Sequence, residues 1–476
     1  MKDPTNEAQQ TTAEQSDVVL GGRLEGTSLT KQIVLLAAWP FLQNILGTMV
    51  SFADRVIAGH TMTAETQSAV FDAMGLAMYV GWLMMILQGG IATGAQALVA
   101  RAFGAHDEDL VERGTAQSFV LGVASGVISG LLVWAMSPTL MSVFGLSGDA
   151  ALYANQYLRI VALSAPLSGV LFVCNSCLRA GGDTKTPFVA MTAVNIVNVL
   201  LSVILMNYVL PPEAIGFGGQ PNGVAGLAWG TVASWVVGSA LIIRAMLPSK
   251  AGETVVVLKR ELLNWDWPVG KRILKVGLPQ LVEIVGMWTI HAFGVWLIAN
   301  KLQEEGVLGA HGMVIQIESI SFMPGFALGM AASTLAGQYL GAGSKLMAAK
   351  AVRACWYVAM ATMGFAGVCI VFFAPELVGI MSPAGGAQAD MAIEIVRVVG
   401  WTQPFFATAM VMKMSMRGAG ATTVVMTASF SIMLIIRVGI LAACFHFYAD
   451  QMTLLKVWLI MVLDLVVQAS VFTVLH

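Results

Sequence analysis

Residues 33–58 read IVLLAAWPFLQNILGTMVSFADRVIA, an apolar stretch long enough for a helix to cross a lipid bilayer. The stretch contains Pro40 near its start and Asp54 near its end. An ionised carboxylate inside a spanning helix costs about 2.5–3.5 kcal/mol on insertion scales, so such a group is usually retained because it faces a protein interior or a watery cavity. The stretch therefore predicts a membrane-spanning helix in which Asp54 handles a coupling ion.

The same apolar character extends over the whole chain. Of its 476 residues, 57% are hydrophobic and only 11% are charged, whereas soluble proteins carry about 25% charged residues. We therefore predict an all-α integral membrane protein with no soluble domain of core-forming size. Counting apolar blocks of about 20 residues gives twelve transmembrane helices, near 30–58, 68–98, 114–137, 152–176, 187–210, 223–247, 272–300, 307–336, 350–373, 392–415, 424–447 and 454–474.

Lys and Arg residues predict the orientation of these spans. With the N-terminus inside, 19 of them fall in inner segments and 5 in outer segments, which is a strong positive-inside signal. Both termini are then cytoplasmic in a multi-pass protein of the cell inner membrane. The sequence predicts a disordered cytoplasmic tail at 1–27 and an N-terminal six-helix lobe at 28–247. An amphipathic cytoplasmic linker on the inner leaflet follows at 248–271, and a C-terminal six-helix lobe at 272–476.

The second half of the chain repeats the first. Residues 158–186 align without gaps to 396–424 at an offset of 238, with 7 of 29 pairs identical. Two shorter echoes, at offsets of 237 and 239, occur in the same order: 97–105 with 334–342, and 38–44 with 277–283. Because the period contains six spans, an even number, the halves are parallel 6+6 repeats, which predicts a central cavity between them.

At these motifs the chain resembles the multidrug and toxic compound extrusion (MATE) transporters. The resemblance is carried by the proline and the aspartate of the first span, by ARAFGAHD (100–107) at the end of the second, and by LRAGGDTKTP (178–187) before the fifth. It covers nearly everything from about residue 30 onward. It implies a transporter with no catalytic residues, and the sequence contains no HExxH or GxSxG motif that would indicate a membrane enzyme.

The resemblance also implies a cation site in the first half. Asp54, Asn198 and Thr231 match the family's site positions, with Asp54 as a possible Na⁺ ligand, while Ser202 stands where many relatives have a second Asp. Independently, Asn195, Asn198 and Ser202 are spaced i, i+3 and i+7, so they lie on one stripe of the fifth span. We therefore predict a site that carries one negative charge.

The second half gives a less certain pattern. Glu283, with Gln280 and with its repeat counterpart Asn44, forms a possible second site; alternatively, Glu283 pairs with a Lys or Arg near the inner surface. The acidic positions that some relatives carry in this half are Met287 and Phe406 here. The residues predicted to line the cavity are Gln280, His291, Gln316 and Glu318. Arg437 and Asp464 are predicted to form a buried pair. Lys413 is expected to extend to the inner surface.

Together these features imply a cation-coupled antiporter that exports amphipathic, often cationic, organic compounds by alternating access. H⁺ or Na⁺ is the coupling ion, no other cofactor is expected, and Pro40 lets the first span bend because it removes one backbone hydrogen bond. The expected partners are small organic substrates and membrane lipids but no nucleic acid, and the protein is expected to be a monomer. The alternative function is a lipid or polysaccharide-precursor flippase of the wider superfamily, which would need a strongly cationic cavity.

Overall fold

The computed structural model describes residues 20–21, 24–61, 64–144, 146–210, 222, 224–248, 256–302, 306–383 and 385–476. Side chains are described throughout these ranges except at 47–56, 58–61, 64–69, 71–72, 78–79, 82 and 143. The regular structure of the described residues is entirely helical. The helices are α1 (Leu29–Thr61), α2 (Ala64–Gly104), α3 (Glu108–Val143), α4 (Gly148–Ala162), α5 (Ala165–Ala180), α6 (Lys185–Ile204), α7 (Ala225–Met246), α8 (Trp267–Lys301), α9 (Val307–Gly341), α10 (Lys345–Phe372), α11 (Ala374–Met381), α12 (Ala387–Gly418), α13 (Thr422–Met433), α14 (Leu441–Phe447) and α15 (Leu454–Leu475). Two π-helical segments continue α6 and join α13 to α14, at Leu205–Val209 and Leu434–Ile440.

The predicted all-α membrane fold is confirmed. Each of the twelve predicted spans coincides with one helix or with one continuous helical segment, except the fourth. In the part of the chain that the structure describes, ten helices are long and apolar enough to cross a membrane, and a bent pair adds an eleventh. The protein is therefore a multi-pass membrane protein.

The fourth span is broken, which the sequence did not predict. It consists of α4 and α5, which meet at an angle of 55° at Leu163 and Ser164. Pro166 lies in the first turn of α5, where its missing N–H costs nothing, so the proline favours a helix start at this point. Its repeat counterpart Pro404 lies inside the unbroken α12, and nothing in the structure explains this difference.

The chain divides into two compact units. One contains residues 42–103 and 107–277, and the other contains 1–41, 104–106 and 278–476. The lobes predicted at 28–247 and 272–476 were defined by the sequence repeat, whereas these two units are defined by packing. The predicted lobes therefore stay a prediction. Within the predicted tail, Leu20 and Leu24 are buried in the second unit's apolar core, and the rest of residues 1–23 apart from Gly21 lies outside the described residues.

A close helix contact occurs in the same place in both halves. In the first, Gly130 of α3 lies so near the backbone of Ala162 that a Cβ atom would collide with its carbonyl oxygen. In the second, Gly367 of α10 meets Gly400 of α12 in the same manner. The two contacts are related by offsets of 237 and 238, the offsets of the sequence repeat. Small residues let membrane helices approach closely, so this seam is a duplicated element of the fold.

Residues 256–266 pack against the start of α3 within their own unit. The Gln117 side chain donates hydrogen bonds to the carbonyl oxygens of Leu262 and Asn264, at 3.1 and 2.8 Å, and accepts one from the Asp266 N–H at 3.1 Å. The Arg113 guanidinium contacts the Asp266 carboxylate at 2.5 Å. The described part of the predicted linker is therefore held by specific hydrogen bonds.

We expect Asp266→Asn to loosen this segment. The hydrogen bond from Arg113 lowers the pKa of Asp266 below its ordinary value, so the pairing stabilises the fold above about pH 3.9 and is lost as the pH falls through the lowered pKa. Hydrogen exchange of residues 256–266 should show wild-type protection at pH 7 that falls only in acid, and weak protection of the variant already at pH 7. Glu261→Gln, an exposed carboxylate of the same segment, is the control; equal protection in D266N and wild type would contradict the prediction.

Candidate cation-binding site

The predicted ion carboxylate and the predicted hinge both lie on α1. The backbone of α1 is helical at Asp54, whose side chain lies outside the described residues. Pro40 is buried within α1, which continues through it to Thr61. The roles of both residues therefore stay predictions.

The predicted polar stripe of α6 is buried as a group. Asn195, Asn198 and Ser202 are all buried, Asn198 and Ser202 to 0% exposure. The Asn195 Nδ2 donates to the Met191 carbonyl at 2.7 Å, so this amide hydrogen bond stays within α6. Asn198 and Ser202 are therefore the residues of this stripe whose polar groups are available to a neighbouring helix.

α6 and α7 meet at this stripe. The Asn198 Nδ2 donates to Thr231 Oγ1 at 3.2 Å, and the Thr231 hydroxyl donates to the Leu227 carbonyl at 3.0 Å. One residue before Thr231, Gly230 lies so close to Ser202 that a side chain at this position would collide with it. The structure therefore brings Asn198, Ser202 and Thr231 together, as the sequence predicts.

This cluster contains oxygen atoms that lack a donor. Among the described residues, Asn198 Oδ1, Ser202 Oγ and Asn195 Oδ1 have no hydrogen-bond partner although each is buried. Burying a polar group without a partner costs free energy, about 1–3 kcal/mol in proteins. Oxygen atoms held in this state are ready to coordinate a hard cation or to accept a hydrogen bond from a protonated carboxylic acid.

The candidate second site has a different arrangement. Glu283 of α8 is buried, and its Oε1 accepts from Arg417 NH2 at 2.8 Å and from Ser429 Oγ at 3.0 Å. Gln280, one turn earlier, is also buried, and its Oε1 has no partner among the described residues. Asn44 lies partly buried on α1. Of the two interpretations that the sequence left open for Glu283, pairing with a basic residue is the one observed.

A family model described as MatE matches residues 41–204 and again 279–441. This chain belongs to the MATE family. The two matches begin 238 residues apart, which confirms the internal repeat. Since the family and its curated relatives are transporters, this MATE protein is a transporter and not an enzyme.

Similar proteins cover almost the whole chain. A probable multidrug resistance protein NorM of Thermotoga maritima is 27% identical over 94% of this chain and 92% of its own length. A crystal structure of MATE in the bent conformation has a TM-score of 0.82 at 22% identity, covering 94% of each chain. An outward-facing multidrug resistance MATE family transporter has a TM-score of 0.79 at 22% identity, covering 94% of this chain and 95% of its own.

Two further basic residues of this MATE protein are half-buried in the second half. The predicted pair is confirmed, because Arg437 Nε donates to Asp464 Oδ2 at 2.6 Å. That Lys413 extends to the inner surface stays a prediction. Its ammonium donates to Gln468 Oε1 at 2.9 Å and lies over the ring of Phe472, 5.5 Å from the centroid. The polar acceptor and the aromatic face both stabilise the ammonium group of this long side chain.

Proposed function

We propose that this MATE transporter is a cation-coupled antiporter that exports amphipathic, often cationic, organic compounds. The observation that carries the proposal is the buried Asn198 Oδ1 and Ser202 Oγ, which have no donor in the described part of the chain. A cation entering beside Asp54 would use these oxygens as ligands. The substrate class rests on similarity, since the Thermotoga maritima relative is described as a probable multidrug resistance protein.

The proposed cycle begins with Asp54 ionised and the cavity open to the outside. H⁺ or Na⁺ then neutralises Asp54, which lowers the cost of moving α1 into a less hydrated position. Pro40 lets α1 bend, the affinity for the organic compound falls, and the compound leaves outward. The ion is released inward when the two halves change access. The protein acts as a monomer in the cell inner membrane, with both termini cytoplasmic and no cofactor besides the ion.

The ion stoichiometry follows from the residues of the site. Ser202 supplies a hydroxyl where many relatives carry a second carboxylate, so the proposed site has one ionisable group, Asp54. One monovalent cation is enough to neutralise it. We therefore expect one coupling ion per cycle from this half of the chain.

The flippase alternative requires basic side chains that are open to a phosphate group. Arg417 is paired with Glu283, and Arg437 is paired with Asp464. A guanidinium that already holds a carboxylate has less capacity to bind a phosphate. These pairs therefore favour the exporter.

Proteoliposomes that are loaded with a fluorescent cationic dye test the proposed function. Export should require an imposed H⁺ or Na⁺ gradient and should stop when an ionophore collapses that gradient. Imposing each gradient separately identifies the ion. Dye movement that is equally fast with and without both gradients would contradict coupling, and movement of fluorescent lipid but no dye would favour the flippase.

We expect Thr231→Val to weaken coupling with little effect on stability. The lost hydrogen bond to Asn198 is worth about 0.6 kcal/mol in a membrane protein, whereas disturbing a group that orients an ion ligand typically costs about 10-fold or more in affinity. The cation concentration for half-maximal dye export should rise by about that factor. Ser234→Ala removes a buried hydroxyl that, among the described residues, bonds only to the Thr231 carbonyl in the same helix, and it should behave like wild type. A shift of the same size in both variants would contradict the assignment.

A further inference from the structure

The Arg437–Asp464 pair belongs to a larger polar cluster in the second half. The Asp464 carboxylate is fully buried, and its Oδ2 accepts from Arg437 Nε at 2.6 Å and from Gln468 Nε2 at 2.9 Å. Its Oδ1 has no partner among the described residues. A buried carboxylate in a membrane protein needs a cation or a proton close by, and here Arg437 provides the cation.

The cluster lies on the helices that correspond to those of the predicted cation site. The repeat relates α6 to the segment from α13 to α14, and α7 to α15. At the offset of 238, Asn198 corresponds to Ile436, the neighbour of Arg437. α7 and α15 are the sixth spans of their halves and contain 22 residues each; they lie beyond the matched ranges, so they correspond as helices. Thus a hydrogen bond joins the two helices in the first half, and an ion pair joins their counterparts in the second.

A π-helical segment accounts for the one-residue difference at Arg437. Residues Leu434–Ile440 form i→i+5 hydrogen bonds, which place more residues in a turn than an α-helix does. The corresponding residues of α6, up to Ile204, are α-helical. Within this wider turn, Arg437 is the residue whose side chain contacts Asp464 of α15. π-segments are frequent at functional sites.

The other ionisable groups near Arg437 come from each neighbouring helix. Glu318 of α9, His291 of α8 and Lys413 of α12 lie within electrostatic range of its guanidinium. A cavity of about 20 Å³ lies beside Arg437, and it is lined by His291 and His311. His311 is 4% exposed, and neither of its ring nitrogens has a partner among the described residues. The cavity has room for about one water molecule, which the His311 ring could bind.

We propose that this cluster is the counterpart of the predicted cation site and that the Arg437 guanidinium occupies it as a built-in cation. An arginine stays protonated in proteins, so it holds Asp464 ionised throughout the transport cycle. It is also attached to the chain, so it cannot be exchanged with either side of the membrane. The second half then takes up no ion at Asp464, and ion coupling through this pair of helices is confined to the first half. The last conclusion rests on the proposed function, whereas the occupancy of the site by Arg437 does not.

Removing Arg437 should convert this cluster into a site for an external cation. The test measures the unfolding temperature of the purified protein in detergent against Na⁺ at fixed pH and ionic strength, and against pH. We use an Asp54→Asn background, because it eliminates the cation response of the first half. That background should show no cation-dependent rise. D54N/R437Q should regain the rise, and D54N/R437Q/D464N should lose it again.

Arg437→Lys is the matched control, because it retains a fixed positive charge. D54N/R437K should show no cation-dependent rise. His291, His311 and Glu318 also titrate in this cluster, so the pH series is interpreted only as a difference between variants that share them. A folded D54N/R437Q protein with no response to Na⁺ or to pH beyond that of D54N would overturn the proposal. So would a cation response in D54N that D464N abolishes, because Asp464 would then exchange an ion despite Arg437.

A second measurement covers the case in which R437Q does not fold. The number of Na⁺ ions or protons bound per protein should be the same in wild type and in Asp464→Asn, because Asp464 exchanges none. A decrease by one ion would overturn the proposal. A different result would contradict the proposed function: an equal cation-dependent rise in unfolding temperature in wild type and in D54N. In that case R437Q in the wild-type background still tests whether Arg437 occupies the site.

Discussion

Asp54→Asn is expected to reduce ion-driven dye export in proteoliposomes to the level of vesicles without protein. Asparagine has nearly the same shape, but it cannot change its charge when an ion arrives, so neutralisation can no longer be linked to movement of α1. The substitution also removes the cost of a carboxylate inside the membrane, about 2.5–3.5 kcal/mol on insertion scales. The variant should therefore fold and insert normally, and substrate binding without a gradient should persist.

The control for this experiment is Asp149→Asn, which neutralises an exposed aspartate at the start of α4. It makes the same chemical change outside the predicted site and should retain full export. The proposed mechanism would be refuted by D54N protein that exports dye under an H⁺ or Na⁺ gradient at the wild-type rate. Loss of export in both variants would show a general sensitivity to charge instead of a role for Asp54.

Arg417→Met is expected to cause the largest loss of stability. The substitution leaves Glu283, whose side chain is 6% exposed, without its guanidinium partner. Breaking a buried ion pair by removing one partner typically costs about 3–5 kcal/mol. Ser429 would still donate to the carboxylate, but a hydroxyl does not neutralise its charge. The unfolding temperature and the yield of monodisperse protein should both fall.

The double variant E283Q/R417M separates the ion pair from the packing of these side chains. It leaves neither member of the pair charged, so it should recover most of the stability that R417M loses. Arg397→Met, at an exposed position of the same helix α12, is the control and should be close to wild type. If the double variant were as unstable as R417M, the loss would come from packing, and the ion pair would have no special weight.

The helices and the repeat were predictable because the sequence patterns that indicate them extend over many residues. A spanning segment of about 20 apolar residues is hard to mistake, and a matched Arg, Pro and Gly in both halves is not a property of generic apolar helices. The Arg437–Asp464 pair was also predictable, since two opposite charges at similar depth in adjacent spans each need a partner. Predictions of this kind succeed because an unpaired charge inside a membrane has a high free-energy cost.

The features that were missed depend on local balances. The hydrogen bond from Lys413 to Gln468 depends on the rotamers of two long side chains, which residue spacing does not determine. The break between α4 and α5 and the π-segment at Leu434–Ile440 each depend on how a few backbone hydrogen bonds are rearranged, for which the sequence has no distinct pattern. The burial of Leu20 and Leu24 was missed because two leucines in a polar segment form no helical period.

The glycine seam has a consequence for how the two halves of this transporter could diverge. Gly130 and Gly367 fix the approach of helices by backbone contact alone, in a part of each half that carries none of the proposed ion chemistry. Asn198 and Thr231 of the first half, and Arg437 and Asp464 of the second, lie on other helices. A duplicated ancestor could therefore keep its architecture in both copies while one copy specialised in exchanging an ion and the other became electrically fixed.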